Sequence, residues 1–313
     1  MHDMAADRFD YVTPEFERIA PRGTQVETIN CDLIFGEGPV WNARESCLYF
    51  VDIVGDKILR WTPGVGISTV VEPSGHANGM TYDQQGRLVI AGWGSRTVWR
   101  LERDGRACII ASHYRGKKLN TPNDIVVKSD GAIYWTDMAN ALEICGMCGE
   151  DVQRYQERNN VFRLAPDGEA PTAVADDFEG CNGLAFSPDE SLLYVNDTSR
   201  RHIRVFDVQP DGSLANGRLF YQDAGDEPGG PDGMKVDAEG NVYCTGSGGV
   251  HVISPRGTLL GRILLHPITN FAWGDADWRT LYITGRSNVH PRRLRGDVYR
   301  VRLGIAGVPV PAG

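Results

Sequence analysis

The chain repeats one pattern along its length: a polar residue opens a short apolar phrase, a turn follows, and a second apolar run comes after it. The opening phrases are Glu37-Gly-Pro-Val-Trp41, Asn78-Gly-Met-Thr-Tyr82, Asn123-Asp-Ile-Val-Val127, Asn182-Gly-Leu-Ala-Phe186, Asp232-Gly-Met-Lys-Val236 and Asn270-Phe-Ala-Trp273. The second runs are Leu48-Tyr-Phe-Val51, Leu88-Val-Ile-Ala91, Ile133-Tyr-Trp-Thr136, Leu193-Tyr-Val-Asn196, Val242-Tyr-Cys-Thr245 and Leu281-Tyr-Ile-Thr284. Between them lie turn sequences such as Asp83-Gln-Gln-Gly86, Ser129-Asp-Gly131 and Asp237-Ala-Glu-Gly240, whose residues favour tight reversals. The polar positions are 41, 45, 59, 50 and 38 residues apart. Short strands repeating every 40–50 residues or so are the mark of propeller blades. The pattern predicts an all-β, six-bladed β-propeller.

Further strands complete each repeat. Lys57-Ile-Leu-Arg-Trp61 and Ile67-Ser-Thr-Val-Val71 read as a hairpin, and similar segments flank Arg103-Asp-Gly105, Pro166-Asp-Gly168 and Pro210-Asp-Gly212. Residues 1–20 read as an N-terminal arm that is mobile or wraps the surface, and 21–313 as one propeller domain. A ring must hide its last strand edge, so Val26–Phe35 or Asp297–Leu303 is expected to complete a blade built from the opposite terminus. The longest interval holds an insertion, residues 138–160, starting where an innermost strand (133–137) is expected to end. Insertions in repeat folds gather on one face, so this segment is expected to form a lid or pocket wall.

Composition narrows the setting. The net charge is −9, and Arg292-Arg293-Leu-Arg295 is the one short basic run, read as a solvated loop. Nucleic acid and membrane are therefore not expected partners. No apolar stretch approaches the roughly 18 residues of a membrane span, and the N-terminus has no signal-peptide pattern. A soluble, cytoplasmic protein is expected. The seven cysteines are scattered, as reduced thiols would be. Cys145-Gly-Met-Cys148 forms an isolated CxxC, read as two loop thiols. Oligomeric state leaves no sequence signature.

In a propeller the innermost strand of each blade faces the axis, so Glu37, Asn78, Asn123, Asn182, Asp232 and Asn270 should converge. All six carry side-chain oxygen and two are carboxylates, the donor set of a hard divalent cation. Asn-Gly and Asp-Gly also form turns, which is the structural alternative for any one of these positions. Asn78 and Asn270 are expected behind the ligands or facing substrate. No Gly-x-Ser-x-Gly elbow is present. His76, His202, His266 and His290 fall in no motif that makes them a base, and Asp137 and Asp197 read as structural turn residues.

The motifs Gly36-Glu37-Gly-Pro-Val-Trp41, Pro122-Asn123-Asp124, Asn182-Gly-Leu-Ala-Phe-Ser-Pro-Asp189 and Pro231-Asp232-Gly-Met-Lys-Val-Asp237 resemble the senescence-marker-protein/gluconolactonase/luciferin-regenerating enzyme family, over about residues 15–303. The resemblance implies one catalytic divalent cation on the axis, held by Glu37, Asn123, Asn182 and Asp232, with Asn123 also able to contact substrate. Ca²⁺ is the favoured ion, with Mg²⁺, Mn²⁺, Zn²⁺ or Fe²⁺ as alternatives. Asp232 is the candidate catalytic base; Asn78, Thr121, Asn123 and Asn270 are candidate substrate contacts. Thr121 stands where some relatives carry a substrate-gripping Arg, and Cys181 where many carry Pro. The function so implied is metal-dependent hydrolysis of a sugar-derived or related small lactone. The alternatives are a metal-dependent esterase or organophosphate hydrolase, and a non-catalytic, metal-stabilised binding propeller.

Overall fold

The apolar runs form strands because both of their faces are covered. In Cys47–Asp52, Leu48 and Phe50 pack with Trp41, Tyr282 and Val298, whereas Tyr49 and Val51 pack with Ile58, Met80 and Ile90. Alternate side chains of a strand point to opposite faces, so one run serves two interfaces. The same holds for Ile133–Asp137, where Ile133 and Trp135 face one neighbour and Tyr134 the other. Six clusters of buried apolar residues arise in this way among the described residues, each between two adjacent sheets.

The structure is a computed structural model and describes residues 8–143, 149–286 and 296–310. It is an all-β, six-bladed propeller. Blades 1 to 4 are four-stranded antiparallel sheets running outward in chain order, beginning with Gly36–Asn42, Ala77–Tyr82, Pro122–Val127 and Cys181–Phe186. Blade 5 begins with Met234–Val236 and blade 6 with Ile268–Gly274. These six strands surround the axis. Ile133–Asp137 is thus the second strand of blade 3, not its innermost; the strand carrying Asn123 lies inside it.

Both termini are used to finish blades. Val26–Leu33 pairs antiparallel with Gly296–Arg302, aligning Val26 with Val301 and Ile29 with Val298, and is the outermost strand of blade 6. Early sequence thereby closes the ring on late sequence and removes an open edge. Phe9–Tyr11 adds a fifth strand to blade 5, and the short helix Phe16–Ile19 buries Phe16 and Ile19 beside it. The described part of residues 1–20 therefore lies along the propeller, attached at both elements.

Asp52, Asp137 and Asp197 end the second strands of blades 1, 3 and 4. Each carboxylate accepts backbone N–H groups from the segment entering its own blade: Asp52 from Ile34 and Phe35, Asp137 from Asn120, and Asp197 from Glu179. These acids brace strand entry.

Candidate active site

The six polar openings are placed by a repeated irregularity in the strands that carry them. In blades 1, 2, 3, 4 and 6 the pairing of the innermost strand with the second shifts at the opening, between Glu37 and Val40, Ala77 and Met80, Pro122 and Ile125, Cys181 and Leu184, and Ile268 and Asn270. Such bulges redirect a side chain out of the regular pleat. In blade 5, Asp232 stands just ahead of the strand itself.

The glycines after these residues have a packing cause. A Cβ on Gly38 would come within 2.0 Å of the Asn78 carbonyl oxygen, on Gly79 within 2.6 Å of that of Asn123, and on Gly183 within 2.2 Å of that of Asp232. On Gly233 it would meet the Asn270 side chain at 2.2 Å. Each glycine admits the polar opening of the next blade. The Asn-Gly and Asp-Gly pairs are therefore contacts of a collar around the axis and not hairpin turns.

Within that collar the polar groups are buried and incompletely satisfied. Glu37 is 3% exposed; its Oε2 accepts from the Gly38 N–H at 2.9 Å and from Asn270 Nδ2 at 3.1 Å. Burial, and then the charges of Asp232 and Asp124, raise its pKa well above the ordinary carboxylate range. Asp232 is part-exposed. Its pKa is also raised, chiefly by burial and further by Asp124, against the opposing influence of Arg286 and Asn182. Its backbone carbonyl accepts from Gly183 N–H at 3.0 Å and Asn196 Nδ2 at 2.6 Å, which fixes the residue in the collar. Asn182 Nδ2 donates to Thr198 Oγ1 at 3.1 Å.

Two amides are left for something else. Asn78 is 1% exposed, yet neither its Oδ1 nor its Nδ2 has a hydrogen-bond partner, and the side chain of Asn123 has none among the described residues. An unpaired buried amide is costly, so these groups suit an ion, a water or a polar substrate. Carboxylates that repel one another beside unpaired amide oxygens fit a divalent cation. Among the described residues no group of three or more Asp, Glu, His or Cys is arranged to hold a metal; an ion here would depend on the amide oxygens.

Not every sequence candidate reaches the collar. Thr121 is fully buried and its hydroxyl donates to the Met138 carbonyl. It braces the start of the insertion and offers no free group to a substrate. His76 has its Nδ1 2.8 Å from the Ile53 carbonyl oxygen. Cys145, Cys148, His290 and Arg292-Arg293-Leu-Arg295 lie outside the described residues. Three groups were not singled out as site residues from sequence. Asp124 and Lys235 follow Asn123 and Asp232 inside the recognised motifs, and their Oδ2 and Nζ are 3.5 Å apart. Arg286 follows the last apolar run, is exposed, and acts electrostatically on Asp232; nothing in the repeat pattern marks it.

The described parts of the insertion are fastened. Asn140 Nδ2 donates to Ser199 Oγ of blade 4 at 3.2 Å. On the other side, buried Arg96 of blade 2 donates to the carbonyls of Leu119 at 2.9 Å and Gln153 at 2.8 Å. Gln156 Nε2 donates to the Lys117 and Lys118 carbonyls at 2.9 and 3.0 Å. Its described parts thus contact both neighbours of blade 3.

Fold and collar together define a six-bladed propeller with an acid–amide site where its innermost strands begin. Residues 35–287 match the family described as the SMP-30/Gluconolactonase/LRE-like region, and the chain belongs to that family. It is 33% identical to a gluconolactonase of Zymomonas mobilis over 302 residues, covering 88% of this chain and 83% of that protein. It is 28% identical to a pentonolactonase of Haloferax volcanii over 267 residues, covering 83% and 84%. A solved gluconolactonase of Xanthomonas campestris superposes with a TM-score of 0.85 at 31% identity, covering 96% of each chain.

Proposed function

We propose that this protein is a metal-dependent lactonase that opens a sugar-derived or related small lactone to its hydroxy acid. The observation that carries the reading is the charge of Asp232 acting on the buried Glu37 carboxylate, beside the buried, unpaired amide of Asn78 and the amide of Asn123, in one collar. The relatives named gluconolactonase and pentonolactonase support the substrate class.

Glu37, Asn123, Asn182 and Asp232 would hold the ion, and oxygen ligation favours Ca²⁺ over softer choices. Bound there, a divalent cation would supply Lewis-acid polarisation of the ester carbonyl and offset negative charge developing on its oxygen. Asp232 is the part-exposed carboxylate of the pair, and its raised proton affinity suits a group that accepts a proton from an attacking water. Glu37 is held by the Gly38 N–H and the Asn270 amide; its role is charge and rigidity. Asn78, and Asn123 where it is free of the ion, offer donors and acceptors to sugar hydroxyls. Arg286, whose charge acts on Asp232, would attract an anionic or electron-rich substrate edge, and the described parts of the insertion, 138–143 and 149–160, would form a wall of the pocket.

The test is proton release from a panel of γ- and δ-lactones, with metal-stripped protein and after adding back single divalent ions, corrected for spontaneous hydrolysis. Metal-restored turnover on one lactone class is expected. Folded, ion-loaded protein that turns over no lactone would overturn the reading in favour of an ester or phosphotriester substrate, or of a binding propeller.

A further inference from the structure

Beside the collar, one hydroxyl touches two blades at once and has no part in the reaction as derived. Thr198 follows the second strand of blade 4, Leu192–Asp197, and is exposed. Its N–H donates to the carbonyl of Gly180, two residues ahead of Asn182, at 2.9 Å. Its Oγ1 donates to the carbonyl of Pro231, one residue ahead of Asp232, at 2.7 Å, and accepts from Asn182 Nδ2 at 3.1 Å. A single side chain thus ties the amide of one proposed ligand to the segment that leads into another.

The direction of these bonds follows from what each group can do. A carbonyl oxygen only accepts, and a threonine hydroxyl has one hydrogen to give. With that hydrogen committed to Pro231, Oγ1 can only accept from Asn182. The Asn182 amide therefore turns its NH₂ to Thr198 and keeps Oδ1 for other use. Hard cations take oxygen ligands, so an amide turned the other way would offer N–H groups that repel the ion. The Asn182 backbone is held separately, because its carbonyl accepts from Thr136 Oγ1 at 2.7 Å. Losing the Thr198 hydroxyl would then free the amide to rotate and leave the residue in place. Asn78 is the contrast: neither its Oδ1 nor its Nδ2 has a partner, so no hydrogen bond decides which atom it presents.

We propose that Thr198 is a positioning residue that fixes the Asn182 amide with its oxygen free for the ion, and so raises the affinity of the collar for a divalent cation. Thr198 acts through Asn182 and not by touching the ion. The inference rests on the ion reading given above.

The experiment measures Ca²⁺, Mg²⁺ and Mn²⁺ affinities by titration calorimetry on the full-length, metal-stripped protein, and carries the tightest-binding ion through the variants. Circular dichroism verifies folding. Thr198→Val keeps the shape and removes the hydroxyl, and Kd is expected to rise about tenfold or more, the range for losing a group that orients a metal ligand. Thr198→Ser keeps the hydroxyl and should stay within about twofold of the unaltered protein. The decisive arm is the Asn182→Asp background. A carboxylate offers oxygen whichever way it turns, so adding Thr198→Val to Asn182→Asp should change Kd by less than about twofold. An equal loss in both backgrounds would assign the effect to the Pro231 segment. No loss from Thr198→Val, or the same loss from Thr198→Ser, would show that the hydroxyl does not orient the amide. Each of these results would overturn the inference while leaving the ion site intact. Thr198→Ala takes the place of Thr198→Val if that variant does not fold. Failure of the unaltered protein to bind any of the three ions would overturn the ion reading and this inference together.

Discussion

The innermost strands are polar where they begin and apolar where they end, and the two ends do different work. At the beginning stand Glu37, Asn78, Asn123, Asn182 and Asn270, all buried, with part-exposed Asp232, whose charge acts against that of Glu37; the Asn78 amide there has no hydrogen-bond partner. A few residues on, Val126, Val127, Ala185, Phe186, Val236 and Trp273 line a largely apolar cavity of about 320 Å³, bordered by Val308, Pro309 and Val310 near the C-terminus. Trp273 Nε1 donates to the Val236 carbonyl at 3.1 Å, the Trp273 ring meets Tyr243 edge-on with centroids 5.0 Å apart, and Gly307 packs against the same indole. One end accepts local instability in order to present charge. The other recovers it through packing.

The sharpest way to break this contrast is at Asp232. Asp232→Asn keeps the shape and removes the proposed base along with one negative ligand. Turnover on the lactone found by the panel should fall by about 10²–10⁴-fold, the range for loss of a positioned acid–base group. The thermal midpoint of the metal-free protein should hold or rise, because a repulsive carboxylate is gone. Turnover that survives the substitution would remove Asp232 from the chemistry. An unfolded variant would mean that the polar end is structural after all.

The complementary substitution is Trp273→Ala. Trp273 is 4% exposed, and truncating a buried aromatic of this kind typically costs about 3–5 kcal/mol. Urea denaturation should show that loss, while kcat and KM of the folded protein stay unchanged. A large fall in kcat without loss of stability would show that the two ends are coupled and that the division of labour drawn here is wrong.

The sequence disclosed the blades and the collar because both repeat. Period-two apolar runs and six aligned polar openings are local signals, and their convergence follows from propeller geometry alone. Closure of blade 6 by Val26–Leu33 was also legible, since alternation at both termini met the need to hide an edge. Thr121 shows the limit of reading by position: only the structure reveals that its hydroxyl goes to the Met138 carbonyl. Asp124 and Lys235 were hidden for another reason. Their meaning lies in a contact across 111 residues between two different blades, which no local pattern encodes. The glycines illustrate the same point, because Asn-Gly means a turn in isolation but a close approach between blades here.

The finest probe of the comparison lies just outside the collar, at Asp137. This residue is fully buried; its Oδ2 accepts the Asn120 N–H at 2.9 Å, and its Oδ1 has no partner. Burial raises its pKa to about 7, against the opposing Asn120 hydrogen bond and the Arg96 charge. From the ordinary value of 3.8 up to about 7, the folded protein holds this proton more tightly than the unfolded chain does. Its contribution to stability is therefore favourable at low pH and declines as pH rises through that window. Asp137→Asn removes the charged form, so urea midpoints measured from pH 4 to 7 should decline less steeply than in the unaltered protein. The difference is at most about 1.4 kcal/mol per pH unit, the slope of one proton. Because Glu37 and Asp232 are present in both proteins, their own titration largely cancels in that difference. Identical slopes would mean that Asp137 stays ionised on folding. The bracing acids would then belong with the stabilising end of the molecule.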